Sequence, residues 1–119
     1  MTVTATVQSI GANAIDAKEP ILVLFDATAT APLQQIAVIQ KFDQPLAQLS
    51  LVAGSTITID HQTYTVTFVG GLVEANLTSI GHATLYFKAV PAKPMENGIY
   101  LTPNQLPIIK VGSVITYQA

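Results

Sequence analysis

The chain has 119 residues, half of them hydrophobic and only 10% charged, with a formal net charge of -2 and no cysteine. That balance excludes a disordered chain, and five scattered lysines without any arginine give no basic stripe of the kind that binds nucleic acid. The missing cysteines exclude disulfides, thiolate chemistry and the usual zinc and iron-sulfur ligand sets, and they fit a reducing, cytoplasmic setting.

The length suits one domain, residues 1–119. Met1 is followed by neither a basic start nor the apolar segment of a secretory signal, and no apolar run is long enough to span a bilayer, so direct membrane insertion is not expected. Val3, Ala5 and Val7 alternate with Thr4, Thr6 and Gln8, the period-two pattern of a half-buried strand. Ile21 to Phe25 is continuously apolar between Pro20 and Asp26, which predicts a strand covered on both faces. Ala31 to Gln35 can form one helical turn.

Ile36 to Phe42 reads as the next strand, and strict alternation places Gln40 on the face of Ile36, Val38 and Phe42. An amide on an apolar face must find partners or face a cavity, because burying it unpaired costs about 1 to 3 kcal/mol. A bulge that turns it outward is the competing reading. Residues 55–69 form a hairpin pattern: Thr and Ile alternate up to a polar break at Asp60, His61 and Gln62, and Tyr64, Val66 and Phe68 then alternate with threonines.

Val73 to Ile80 has helical character and ends at Gly81; Ala83 to Lys88 returns to strand. Pro91, Pro94, Pro103 and Pro107 mark a surface connection with at most one short edge strand near Ile99 to Leu101, and Val111 to Tyr117 is the last strand. The stretch Ala53-Gly54-Ser55-Thr56-Ile57-Thr58 is echoed by Val111-Gly112-Ser113-Val114-Ile115-Thr116. Two like halves of a barrel would produce such an echo, and so would shared turn chemistry at strand starts. Many short strands with little helix predict an all-β fold, a small closed or partly open β-barrel with one or two short helices.

The chemical inventory is small. No glycine-rich phosphate loop is present and the acids are dispersed, so neither a cofactor nor a metal is expected. His61 sits at the hairpin tip, where a polar residue serves the turn. His82 opens the strand Ala83 to Lys88 on the face of Thr84 and Tyr86; it is either a functional imidazole or a strand-start histidine bonded to backbone.

Ile10-Gly11-Ala12-Asn13-Ala14-Ile15-Asp16 and, more distinctively, Val69-Gly70 through Asn76-Leu77 to Ile80-Gly81-His82-Ala83-Thr84-Leu85-Tyr86-Phe87 carry a family pattern. From about Thr2 to the Val111-Gly112-Ser113 segment the chain resembles the glucitol/sorbitol-specific IIA component of the bacterial phosphoenolpyruvate-dependent sugar phosphotransferase system. The resemblance implies a phosphohistidine carrier that takes a phosphoryl group from HPr and passes it to the IIB component, which feeds the IIC permease.

It also implies that Gln40 stands where the family has its phospho-accepting histidine. An amide nitrogen, with its lone pair delocalised, cannot hold a transferable phosphoryl group. His82 matches the family pattern and is the candidate to orient phosphate or to accept it, with Lys41 as a possible counter-charge. The alternative is a divergent binding or regulatory paralogue that keeps the barrel and has lost transfer.

Overall fold

The alternating segments become strands that close on themselves. The computed structural model describes residues 2–45 and 49–119. Among these, eight strands and two short helices follow in the order β1 (Thr2–Ile10), β2 (Ile21–Phe25), α1 (Ala31–Ile36), β3 (Val38–Phe42), β4 (Thr56–Ile59), β5 (Gln62–Val69), α2 (Val73–Ile80), β6 (Ala83–Tyr86), β7 (Gly98–Thr102) and β8 (Val114–Gln118). The strands form a closed barrel, β1-β3-β2-β6-β7-β5-β4-β8, in which β2–β3 and β6–β7 are parallel and the other pairs antiparallel.

Alternation decides what fills it. Val3, Ala5 and Val7 of β1, Ile57 and Ile59 of β4, Tyr64 and Val66 of β5, and Ile115 and Tyr117 of β8 point into one core, and the threonines between them point out. Leu22 and Leu24 of β2 join that core, whereas Val23 and Phe25 pack outside the barrel against Ala29, Leu33, Ala37 and Ile39 under α1. The continuous apolar run of β2 is thus covered on both sides, as its sequence predicts.

Two segments differ from expectation. Ile36 does not begin β3; it ends α1 and is 46% exposed, because Pro32 at the start of that helix sets a turn that the chain completes before extending at Ala37. Ile99 to Leu101 is no edge strand: β7 is paired on both sides, antiparallel to β5 and parallel to β6, since barrel closure leaves no edge.

The six-residue echo marks a two-fold correspondence that runs through the whole barrel. Gly54 and Gly112 both adopt positive φ, 97° and 90°; Ser55 and Ser113 each accept a backbone N–H three residues back at 2.9 and 3.0 Å. In the β4–β8 ladder Ile57 opposes Tyr117 and Ile59 opposes Ile115, so exchanging each residue for its counterpart turns one pair into the other. The same exchange relates Leu22–Leu85 to Leu24–Ala83 in the β2–β6 ladder.

The correspondence extends to the irregular features. β1 is bulged between Val7 and Ser9, and β5 between Val66 and Phe68. Gly11 N–H donates to Ala37 O at 3.0 Å and Gly70 N–H to Gly98 O at 2.9 Å. Thus β1 to β4 match β5 to β8 in order. The halves differ in their insertions: α1 lies between β2 and β3, whereas α2 lies between β5 and β6.

Candidate functional site

The α2 helix ends at Gly81, whose φ of 62° lies in the left-handed region and whose N–H closes on Leu77 O. A β-carbon there would stand 2.8 Å from that of Asp26, so the chain passes Asp26 as closely as only glycine permits. This turn delivers His82 to the start of β6. The imidazole is half-buried and stacked on Phe25, with ring centroids 4.1 Å apart and planes inclined by 19°.

Both ring nitrogens are engaged. Nδ1 lies 2.9 Å from Leu24 O and Nε2 lies 3.1 Å from Nδ2 of Asn97, the residue that precedes β7. Asn97 is held in place by its own carbonyl, which accepts the Thr84 N–H of β6 at 3.0 Å.

Gln40 is fully buried, and its side chain faces inward beside Val38, as alternation predicts. Its Nε2 donates to Gly81 O at 3.0 Å and its Oε1 accepts the Tyr117 hydroxyl at 2.6 Å. Burial pushes the Tyr117 hydroxyl far above the ordinary tyrosine range, the bond to Gln40 pulling weakly the other way, so the hydroxyl stays a donor. Gln40 and His82 are therefore neighbours through the Gly81 carbonyl, although no hydrogen bond joins their side chains. No outward bulge occurs at Gln40; the bulge of this ladder lies across from it, in β1.

Gln40 contributes to the floor of a cleft of about 500 Å³, whose walls include Gln8, Asp26, Thr28, Lys41 and Phe42. Lys41 is exposed on its wall. At the corresponding place in the other half, Thr67, Leu101 and Thr102 line a smaller cleft of about 320 Å³. Leu101 is the counterpart of Gln40, and Ile59 that of Tyr117; both are buried. The pair formed by Gln40 of one half and Tyr117 of the other is thus polar, whereas its symmetry-related pair, Leu101 and Ile59, is aliphatic.

His61 is exposed at the β4–β5 turn, where no side-chain hydrogen bond fixes its ring. Asn97 joins the site without any mark in the sequence. It lies in the proline-marked connection, and a contact to a residue of another strand start has no local sequence signal. Among the described residues no cluster of three or more potential metal ligands occurs, and no helix is long and apolar enough to cross a membrane.

Similarity to known proteins gives the class of this barrel, a sugar phosphotransferase system component. The family model for the PTS system glucitol/sorbitol-specific IIA component matches residues 2–116. A PTS glucitol/sorbitol-specific EIIA component of Escherichia coli is 29% identical over 115 residues, which span 96% of this chain and 92% of that protein. The Shigella flexneri component is 28% identical over the same span. The crystal structure of a PTS system IIA component from Enterococcus faecalis superposes with a TM-score of 0.93 at 44% identity, covering 98% of this chain and 99% of that one. The chain belongs to the glucitol/sorbitol-specific IIA family of the phosphotransferase system.

Proposed function

We propose that this chain works in the cytoplasm as a phosphoryl relay, accepting the group from the phosphohistidine of HPr and passing it to a IIB component in glucitol/sorbitol uptake, with Nε2 of His82 as the atom that carries it. The observation that carries this reading is the contact between Nδ1 and Leu24 O. A carbonyl only accepts, so Nδ1 holds the ring proton and the lone pair lies on Nε2. That is the form in which imidazole attacks phosphorus. Gln40 offers no such pair, and His61 lacks a fixed ring. Stacking on Phe25 removes rotational freedom that transfer would otherwise have to quench, and phosphoryl transfer between imidazoles rests on positioning more than on covalent help from the protein.

The test is incubation with phosphoenolpyruvate, enzyme I and HPr, followed by mass spectrometry for an acid-labile phosphoryl adduct. The expected result is one adduct, lost in H82Q and kept in H61Q. An adduct that survives H82Q, or no adduct on the wild-type chain, overturns the assignment; in the second case a binding role without transfer takes its place.

A further inference from the structure

We infer that Asn97 is a positioning residue for the relay: its amide keeps Nε2 of His82 unprotonated and afterwards serves the phosphoryl oxygens. The inference rests on the reading of His82 as the acceptor. Among the described residues two groups touch the imidazole nitrogens, and they are of opposite kind. Leu24 O accepts from Nδ1 at 2.9 Å, and Asn97 Nδ2 donates to Nε2 at 3.1 Å. Acceptor on one side and donor on the other admit a single neutral tautomer, with the proton on Nδ1.

The two-fold correspondence of the barrel supplies an internal control. The counterparts of His82 and Asn97 in the other half are Ile21 and Ile36, which open β2 and close α1. That half forms the same ladders and the same bulge without a polar pair at these positions. The imidazole–amide contact is therefore not something the barrel needs in order to close. Asn97 is also well anchored for the task, because its backbone carbonyl is tied to Thr84 N–H at 3.0 Å while its side chain remains half-buried at the rim.

In the transfer step the Nε2 lone pair forms the new bond to phosphorus, and the phosphorus–nitrogen bond of the donor phosphohistidine breaks with its electron pair returning to the donor ring. No proton is exchanged: each ring keeps the one on its other nitrogen, and on His82 that proton stays on Nδ1 against Leu24 O. As the new bond takes up the lone pair, the Asn97 N–H loses its acceptor and is left beside the phosphoryl oxygens, where a hydrogen bond to a charged group is stronger than the one it gave up.

The experiment reads the imidazole nitrogens directly. In a chain labelled with nitrogen-15 and held in mildly alkaline buffer, the wild type should show His82 Nδ1 as the protonated nitrogen and Nε2 as the bare one. N97D replaces the donor with an acceptor of the same shape, so both ring nitrogens then face acceptors and His82 should appear doubly protonated. Its phosphorylation by HPr should fall roughly 10- to 100-fold, as expected for a carboxylate set against an imidazole. N97A leaves Leu24 O alone to set the tautomer, so the form with Nε2 bare should be less fully populated than in the wild type and phosphorylation should slow about fivefold, the loss of one hydrogen bond.

A wild-type spectrum with the proton on Nε2, or N97D rings that remain singly protonated, overturns the role of Asn97 whatever the relay does. The opposite failure is distinguishable: the expected spectra together with no adduct on His82 would sink the relay reading and leave the proton assignment standing.

Discussion

The Tyr117 hydroxyl and the Gln40 side-chain oxygen meet 2.6 Å apart inside the barrel although 77 residues separate them in the chain. With Gly81 O on the other end of the amide, this bond turns a polar group on an apolar face into a satisfied one. Y117F should destabilise the fold by about 1 to 3 kcal/mol, because it strands the amide oxygen in the core. The double variant Q40L/Y117F should recover most of that loss, as the symmetry-related positions are filled by buried Leu101 and Ile59. Urea unfolding of both variants checks it; a wild-type midpoint for Y117F would show that the buried bond contributes nothing.

Gly81 joins this core amide to the histidine outside. G81A puts a methyl group against Asp26 and forces an alanine into the left-handed region, and it should lower stability by about 1 to 2 kcal/mol. It should also shift His82 on Phe25, which the ring-proton resonances of His82 report through the ring current of its stacking partner. Unchanged resonances would mean that the Gly81 turn does not set the ring position.

Gly11 and Gly70 are counterparts, and both lack room rather than conformational freedom. A β-carbon on Gly11 would lie 2.1 Å from Gln34 O, and one on Gly70 2.2 Å from Glu96 O, both backbone atoms that cannot swing aside. G11A and G70A should each cost at least about 2 kcal/mol in thermal or urea unfolding, beyond what an added methyl costs in an ordinary core. A near-neutral effect at one site and a large one at the other would mean that the halves do not share this packing.

Asp60 ties the β4–β5 turn to β8. Val114 N–H, at 3.0 Å, and Ser113 hydroxyl, at 2.7 Å, hold its carboxyl below the usual carboxylate range against the opposing effect of burial, with Lys110 and then His61 adding less. The folded value is the lower one, so the stabilisation is present in full above the unfolded value of about 4 and disappears as pH falls through the folded value. The stability gap between wild type and D60N should be constant near neutrality and should close only in acid. A gap that widens on acidification would contradict this.

Much of the barrel could be read from period-two patterns because those patterns are physical: Thr–Ile and Thr–Val alternation around Asp60 and His61 can only serve a hairpin with one wet face. The inward aim of Gln40 followed from the same rule. Its partners did not, since Tyr117 and Gly81 reach it through barrel closure, which joins β8 to β1 and β2 to β6. Ile36 reads as strand in the sequence because a one-turn helix has too few residues to show its own period. Asn97 was invisible for a related reason: an amide in a proline-marked connection looks like turn chemistry until the fold sets it against an imidazole.

The correspondence between β1 to β4 and β5 to β8 has the geometry of a symmetric dimer compressed into one chain, with Ile57–Tyr117 and Ile59–Ile115 straddling the axis. In a true dimer every change of sequence is made twice. Joining the two copies lets one of two symmetry-related pairs become polar, Gln40 facing Tyr117 or His82 beside Asn97, while the related pair goes on holding the shape with leucine and isoleucine. For the relay proposed above that asymmetry leaves a single place for the load, because the position related to His82 is held by Ile21.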